Sequence, residues 1–240
     1  MTITSPHNEQ LKEIRKLAGR KWRDKLREFV AEGEDLLAAA DAAGWEPLAR
    51  LVAEGSGLEG EEVTPHLLAQ VSQLGSGTRA LGVYAQRWAP APVGPLCLAL
   101  WGVNDPGNVG TALRGALAFG AAGVALGPGT ADPYGPKAVR ASMGALFEVP
   151  VTRVRDPTEL PGIRIALVAH GGEPLAGAGP LVSPGETATI VVGAEREGLP
   201  DVVVAACDAV ATIPVAAESL NAAMAATVAL YECNRRMAAP

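Results

Sequence analysis

The sequence is poor in cysteine and histidine, and neither residue type is clustered. The chain of 240 residues has three cysteines, none of them in a Cys-x-x-Cys pair: Cys97, Cys207 and Cys233. Each cysteine has apolar neighbours, so we expect small buried side chains rather than disulfide halves or ligands. The three histidines are equally dispersed: His7, His66 and His170. These spacings offer no ligand set for a metal, and we expect none.

Long apolar segments are also missing. No run reaches the roughly 18 residues of a membrane-spanning helix without a polar, Gly or Pro interruption. The polar, charged N-terminus lacks the apolar core of a signal peptide, so we expect a cytoplasmic protein without a membrane partner. A hydrophobic content of 48% with 19% charged residues is typical of a globular protein. The length allows one large domain or two ordinary ones.

The charge is distributed unevenly. A net charge of −6 argues weakly against a nucleic-acid partner when the chain is taken as a whole. However, eight basic residues lie between Lys12 and Arg27, and an acidic region follows from residue 32 to residue 62. Such a basic segment can bind phosphate. The alternative is a solvated helix face whose acidic partners are Glu13, Asp24 and Glu28.

The first half of the chain alternates helix and strand, which predicts a small α/β module of about 80 to 90 residues. Helices are predicted at 8–30 (one helix or a pair), 36–43 and 65–74, the last capped by Thr64. Strands are predicted at 45–53 and 81–85. The proline-rich stretch 88–95 reads as a stiff linker, so we predict domains at 1–87 and 96–240.

The second half predicts a mostly parallel sheet with its sites at the carboxyl ends of the strands. Its first strand, 96–101, is apolar throughout, as expected for a strand covered on both faces. Further strands are predicted at 123–126, 147–151, 163–169, 189–193 and 210–213. Helices are predicted at 111–119 and 136–145, and a Gly/Pro-rich loop at 171–185.

The last stretch, 211–232, reads as a strand, a Pro-containing loop and an alanine-rich helix. Ser219 is the predicted N-cap, because its hydroxyl can accept from amides of the first turn. A helix that is small or apolar on all sides is either part of the core or packed closely on something else. Both interpretations fit: a core helix, or a helix whose opening turn faces a ligand.

Three stretches at strand ends carry unusual polar residues: 104–114 (NDPGNVGTALR), 192–200 (VGAEREGLP) and 213–221 (IPVAAESLN). In order and spacing they resemble the three motifs of the SpoU/TrmH family of the SPOUT class. The run 132–147 is similar to the stretch that follows the family's first motif. The resemblance covers about residues 96–236, and three ordered motifs are far more specific than one.

This resemblance implies an S-adenosylmethionine-dependent enzyme that methylates a ribose 2′-hydroxyl of ribosomal or transfer RNA. It implies a parallel α/β domain with a deep trefoil knot, a rare exception to ordinary chain paths. It also implies a homodimer whose active site is completed by the partner subunit. The N-terminal half resembles, less specifically, the ribosomal-protein-like α/β domain that binds RNA in many of these enzymes.

The resemblance assigns catalytic roles to five residues: Asn108, Arg114, Glu195, Ser219 and Asn221. Arg114 would orient the hydroxyl and hold phosphate, because a guanidinium stays protonated and rarely acts as a base. Glu195 would position Asn108 or Arg114. The structural alternatives are a helix cap for Asn108 and a charge at a helix N-terminus for Glu195.

The remaining assignments concern the cofactor and the RNA. Gly193, Ile213 and Leu220 would surround S-adenosylmethionine, with glycine permitting close approach. Predicted RNA contacts are Lys21, Arg23 and Arg196, while Trp22 either stacks on a base or packs in the core. The second motif has Ala194 and Arg196 where the family most often has Asn and Gly.

Two other functions compete with methyl transfer. An RNA-binding protein that keeps the fold without turnover stays open, because of the altered residues in the second motif. A nicotinamide-dependent dehydrogenase would suit the sheet. It is disfavoured because no Gly-x-Gly-x-x-Gly turn follows the first strand of the second half.

Overall fold

The computed structural model describes residues 2–73, 77–175, 185–216 and 218–237. Two β-sheets, one from each half of the chain, form its framework. The first half contains helices α1 (Glu9–Leu17), α2 (Arg20–Leu26), α3 (Glu34–Ala42) and α4 (Pro65–Val71). Its strands are β1 (Glu28–Glu32), β2 (Ala49–Ala53), β3 (Glu61–Val63) and β4 (Ala80–Ala85), in the spatial order β1-β4-β2-β3.

The predicted helical pair at 8–30 is confirmed as α1 and α2, but its end was misplaced. Arg27 adopts a left-handed conformation with φ of 60°, which stops α2 at Leu26. The next residues form β1, which was not predicted and which pairs antiparallel with β4. Phe29, Val30 and Ala31 are all buried there, so burial on both faces hides the alternation typical of a strand.

Two other boundaries in this half also differ from prediction. The strand predicted at 45–53 begins only at Ala49, because Trp45 is buried in the preceding loop, where its Nε1 donates to the Phe147 carbonyl oxygen at 2.8 Å. Helix α4 ends at Val71 because Ser72 is extended, and the predicted end at residue 74 lies outside the described residues. Thr64 occupies the N-cap position, but its side chain makes no capping hydrogen bond.

The second half forms a seven-stranded sheet in which every neighbouring pair is parallel. Its strands are β5 (Leu96–Leu100), β6 (Gly123–Leu126), β7 (Val151–Arg153), β8 (Ile163–Val168), β9 (Glu173–Pro174), β10 (Ala188–Val192) and β11 (Ala209–Thr212). Its helices are α5 (Pro106–Ala118), α6 (Pro136–Ser142), α7 (Ala145–Glu148), α8 (Asp201–Ala205) and α9 (Ala222–Met237), with a 3-10 turn at Pro157–Glu159. The predicted parallel α/β fold is confirmed, including the completely buried β5.

Several element boundaries in this half differ from prediction, and a helix cap and two positive φ angles explain most of these differences. Helix α5 begins at Pro106 rather than at residue 111, because Asp105 caps it and proline suits a first helical position. The predicted strand 147–151 is wrong over its first residues, since Phe147 lies in α7. The helix predicted at 136–145 is broken where Met143 and Gly144 both have positive φ, 48° and 94°. Part of the Gly/Pro-rich loop, 176–184, lies outside the described residues.

The strand order creates a crevice at the carboxyl edge of the large sheet. The order is β7-β6-β5-β10-β8-β11-β9, so the chain moves outward from β5 to β7 and then crosses to the other side with β8. Strand β10 lies between β5 and β8. In open α/β sheets, ligands bind where the strand order reverses, outside the carboxyl ends of the strands. The trefoil knot expected from the resemblance stays a prediction.

The two sheets share one continuous hydrophobic core. Phe29 lies with its ring centroid 4.7 Å from that of Tyr134, and Trp45 lies 5.2 Å from Phe147. Beside these rings Arg23, only 5% exposed, donates through Nε to Asp132 Oδ2 at 2.9 Å. These contacts join residues of the first half to the second half, so the two parts pack as one body.

We expect Asp132→Ala to destabilise the protein by about 3–5 kcal/mol, because it leaves the buried Arg23 charge without its partner. Urea unfolding followed by tryptophan fluorescence measures this loss. Lys12→Ala is the control, since it breaks an exposed pair with Glu9 and should change the midpoint little. Equal midpoint shifts for the two variants would contradict a structural role for the buried pair.

Candidate active site

Three side chains, one from each strand-end motif, are joined by hydrogen bonds. Asn108 donates through Nδ2 to Glu195 Oε1. Asn221 donates through Nδ2 to Asn108 Oδ1 at 2.9 Å. The fold therefore brings together Asn108, Glu195 and Asn221, although 113 positions separate the first from the last. We call this arrangement the Asn–Glu–Asn chain.

Asn108 is held in the first turn of α5 by the cap of that helix. The Asp105 carboxylate accepts from the amides of Gly107 at 2.6 Å and Asn108 at 3.2 Å. It also pairs with Lys137 Nζ at 2.8 Å. The hydrogen bond from Lys137, together with these amides, lowers the pKa of Asp105, so the cap is ionised at neutral pH. The structural alternative for Asn108, that it is the helix cap, is wrong because Asp105 is the cap.

Asn221 is the cap of α9. Its Oδ1 accepts from the amides of Ala223 at 3.0 Å and Met224 at 3.2 Å. The prediction that Ser219 caps this helix is therefore wrong, since the helix begins at Ala222. An amide side chain both accepts and donates, so Asn221 can cap α9 with its oxygen while its nitrogen holds Asn108.

Glu195 follows β10 in a tight loop. The Gly198 amide donates to the Ala194 carbonyl oxygen at 3.0 Å, and Gly198 has a φ of 68°. A Cβ on Gly193 would lie 2.3 Å from the Gly198 carbonyl carbon, so only glycine fits at that position. The loop thus closes on itself with Ala194 and Arg196 in place, and it carries Glu195 to Asn108.

A cavity of about 710 Å³ opens beside this loop at the carboxyl edge of the sheet. All three predicted cofactor residues line it together with Ser219: Gly193, Ile213 and Leu220. Sequence reasoning missed several further lining residues, among them Leu167, His170, Val192 and Leu199. From the sequence, His170 either lines this pocket, because it lies at a strand exit beside two glycines, or is an ordinary loop residue, the alternative preferred there; it lies two residues after β8 and lines the cavity.

A second cavity, of about 460 Å³, also borders Glu195. It is lined by Asn104, Asp105, Asn108, Glu195, Arg196 and Glu197. Glu195 and Arg196 border both cavities. The two spaces therefore adjoin at Glu195, one member of the Asn–Glu–Asn chain, so reactants held in the two cavities can lie close to each other.

Arg114 lies apart from both cavities. It is exposed on α5, and its side chain makes no ion pair or hydrogen bond with the described part of the chain. The neighbouring Gly115 packs against α9, where an added Cβ would lie 2.8 Å from Thr227 Oγ1. Within this chain, the Arg114 side chain therefore does not contact Asn108 or Glu195.

The predicted RNA contacts in the first half have different surroundings. Lys21 is exposed, as an RNA contact requires. Arg23 is not available: its Nη1 donates to the carbonyl oxygens of Leu17 and Ala18 at 2.8 and 2.7 Å, and its other nitrogens bind Asp132. The prediction that Arg23 contacts RNA is therefore wrong, because the side chain is buried and bonded within the protein.

Trp22 lies at the surface rather than in the core. It is partly exposed, and Lys16 Nζ and Lys25 Nζ each lie 5.2 Å from its ring centroid. The predicted packing of Trp22 in the core is therefore not observed.

Among the residues that the structure covers, no group of His, Cys, Asp or Glu could hold a metal ion. Within the same residues, no helix is long and apolar enough to cross a bilayer.

Comparison with known families identifies both halves of the chain. Residues 95–231 match the SpoU rRNA Methylase family, and residues 8–86 match the MRM3-like substrate binding domain. A similar curated protein is the 23S rRNA (guanosine(2553)-2′-O)-methyltransferase of Bacillus subtilis, 28% identical, with 95% of this chain and 97% of that protein aligned. The 23S rRNA (uridine(2479)-2′-O)-methyltransferase of Streptomyces viridochromogenes is 37% identical over 55% of this chain and 50% of that protein.

Solved structures agree with this result. The AdoMet-bound rRNA methyltransferase from Sinorhizobium meliloti superposes with a TM-score of 0.87 at 29% identity, covering 100% of this chain and 99% of that one. The SpoU methyltransferase AviRb from Streptomyces viridochromogenes, in complex with the cofactor AdoMet, gives 0.83 at 27% identity, covering 95% and 98%. The motifs, the parallel sheet and these comparisons agree, and the chain belongs to the SpoU rRNA methylase family.

Proposed function

We propose that this protein transfers a methyl group from S-adenosylmethionine to a ribose 2′-hydroxyl of ribosomal RNA. The observation that carries the proposal is the Asn–Glu–Asn chain, which lies where two cavities meet. Relatives that act on 23S rRNA supply the substrate class. The hydrogen bonds that join Asn108, Glu195 and Asn221 favour turnover over an RNA-binding protein that has lost it. A substrate of this kind also fits the cytoplasmic location predicted from the sequence.

The larger cavity fits the cofactor. Its volume of about 710 Å³ lies within the range of roughly 300–1,000 Å³ typical of small-molecule sites. Ile213 and Leu220 supply apolar walls, and the absence of a side chain at Gly193 leaves room for the tight loop of the second motif. Bound S-adenosylmethionine supplies a methyl group already activated by its sulfonium. The protein therefore has to align the hydroxyl and exclude water rather than provide a covalent intermediate.

The smaller cavity would receive the ribose. Asn108 and Glu195 face it, and their mutual hydrogen bond fixes both side chains. Arg196 borders both cavities and is exposed, so it can contact a phosphate of the bound RNA. Ser219 lines the cofactor cavity and is placed to bond the reacting groups from that side. In this arrangement Asn221 acts through Asn108 as a positioning residue.

Arg114 completes the site in a homodimer. Helix α9 exposes three large apolar residues on consecutive turns: Met224, Val228 and Tyr231, with exposures of 57%, 42% and 52%. Such spacing along a helix is typical of a face that packs against another helix. Arg114 is exposed on α5, the helix that packs on α9. We propose that two copies pair through this face, so that Arg114 of one protomer reaches the other protomer's ribose cavity.

We assign a separate role to each part of the chain, in line with the two residue ranges that match known families. Residues 1–87 would bind the RNA, 88–95 would connect, and 96–240 would carry out the transfer, which the matches at 8–86 and 95–231 support. Lys21 belongs to the exposed part of the basic segment and is placed to contact phosphate.

Arg114→Ala should lower methyl transfer at least about a hundredfold, because the guanidinium that aligns the hydroxyl is lost. Incorporation of labelled methyl groups from S-adenosylmethionine into 23S rRNA, followed by mapping of the modified nucleotide, measures the effect. Cofactor affinity by calorimetry should stay at the parent value, since Arg114 lies outside that cavity. Arg114→Lys keeps the charge but loses the planar guanidinium that can donate two parallel hydrogen bonds, so this variant should recover only part of the activity. Parental transfer by Arg114→Ala would refute the assignment.

Gly193→Ala should weaken S-adenosylmethionine binding by about tenfold or more. Its Cβ would overlap the backbone of Gly198, and such overpacking typically costs about 1–3 kcal/mol. Calorimetric titration with the cofactor measures the change. Gly19→Ala is the matched control, because the added Cβ would lie 3.5 Å from its nearest neighbour, the Lys16 carbonyl oxygen. The cofactor affinity of this variant should equal that of the parent. Similar affinities for both variants would show that the second-motif loop does not shape the cofactor site.

Val228→Glu should convert the dimer into monomer, since it places a charge within the apolar α9 face. Light scattering coupled to size-exclusion chromatography gives the mass, and methyl transfer should fall with dimer content. Val202→Glu is the control, because Val202 is an apolar residue of α8 that is 76% exposed. If both variants have the mass of the parent, the proposed dimer face is wrong.

A further inference from the structure

Three arginines surround a cavity of about 230 Å³ at the outer end of the large sheet. Arg153 ends β7 and Arg155 follows it, while Arg20 comes from α2 in the first half of the chain. The loop after β6, residues 127–130, forms the floor. We call Arg20, Arg153 and Arg155 the arginine cluster. Arg153 and Arg155 lie outside the family motifs and the basic segment, whereas Arg20 belongs to the basic segment but is not one of its residues named above as an RNA contact.

The cluster is held together but remains open to solvent. Arg20 Nε lies 3.6 Å from one Asp24 carboxylate oxygen, and Arg153 Nη2 lies 3.3 Å from the other. One carboxylate thus holds two guanidinium groups close to each other. The Arg153 guanidinium also lies 4.1 Å above the Trp88 ring. The side chains of Arg20 and Arg153 are still 56% and 46% exposed, so both can bind a further anion.

Asp24 offsets one positive charge of the cluster, and the other carboxylates near the cavity accept hydrogen bonds from Arg23 or from backbone amides. Asp132 lines the cavity, but it is buried and its charge is balanced by Arg23. Asp156 and Glu159 do not line the cavity. Their carboxylates accept from backbone amides of the 3-10 turn, Asp156 from Thr158 at 2.8 Å and Glu159 from Arg155 at 2.7 Å. Among the described residues that line the cavity, positive charge is therefore in excess.

The position of the cluster relative to the active site suggests what binds there. All strands of the large sheet are parallel, so the carboxyl ends of β7, β6, β5 and β10 follow each other along one edge. The arginine cluster lies at β7, and Glu195 follows β10, three strands away. With neighbouring strands about 4.8 Å apart, the two are separated by roughly 15 Å along this edge. A polyanion whose ribose occupies the smaller cavity can reach the cluster along this edge.

We propose that the arginine cluster binds backbone phosphates of the RNA, away from the methylated nucleotide. Guanidinium groups match phosphate oxygens in charge and in hydrogen-bond geometry. Because Arg20 comes from the first half and Arg153 and Arg155 from the second, one RNA segment contacts both parts of the chain. The contacts are to the backbone, so they set position and affinity rather than base identity. This inference rests on the proposed function and adds a site to it.

The test is the salt dependence of binding to 23S rRNA transcribed in vitro. Each phosphate contact that is lost reduces the slope of log affinity against log salt by about 1. Arg155→Gln should therefore lower the slope by about 1, and Arg20→Gln with Arg155→Gln by about 2. Arg164→Gln is the control: it removes the same charge at the opposite, amino edge of the sheet, where Arg164 pairs with Asp208 at 2.9 Å. Its slope should equal that of the parent.

The outcomes separate this inference from the proposed function. If the parent methylates the RNA and both cluster variants keep the parental slope, the cluster does not bind RNA and the inference alone is overturned. The inference is equally overturned if Arg164→Gln lowers the slope as much as Arg155→Gln, since only net charge would then matter. If the parent neither binds nor methylates RNA, the proposed function fails and the inference fails with it. Parental cofactor affinity in each variant shows that the large cavity is intact.

Discussion

The side-chain amide of Asn108 is the contact on which the active site depends. A carboxamide is one of the few neutral groups that can donate and accept in opposite directions. Here it donates to Glu195 and accepts from Asn221, so a single residue joins the first, second and third motifs. Both neighbours have fixed backbones, Asn221 as the cap of α9 and Glu195 in the loop closed by Gly198. The hydrogen bonds that cap α9 and close the loop after β10 therefore also fix Asn221 and Glu195 beside Asn108.

A second constraint lies between the two halves of the chain. The buried pair of Arg23 and Asp132, with Phe29 and Trp45 against Tyr134 and Phe147, fixes one half on the other. A buried ion pair is a weak source of stability, but it tolerates few geometries. The orientation of the first half of the chain relative to the Asn–Glu–Asn chain is therefore set by packing. This fixed orientation also brings Arg20 of the first half beside Arg153 and Arg155 of the second.

Sequence patterns were sufficient where a single local signal controls the structure. The unbroken apolar run of β5 predicted a buried strand, and the three polar motifs predicted three strand ends whose Asn108, Glu195 and Asn221 are joined in the structure. They failed where two signals compete. Ser219 and Asn221 are both good caps, and the choice between them depends on Asn108, which is distant in sequence. The strand β1 was missed because its residues are buried on both faces and so show no alternation.

The sequence by itself determined the class of fold and the family, because the three polar motifs are recognised by their order and spacing along the chain. The tertiary structure decided which charges are available. Arg23 reads as one more residue of a basic segment, yet burial against Asp132 removes it from the surface. Arg153 and Arg155 carry no motif, yet the parallel sheet places them on the edge that holds Glu195. The sequence shows which residues are charged, but whether a charged side chain is exposed depends on contacts between residues more than a hundred positions apart, such as Arg23 and Asp132.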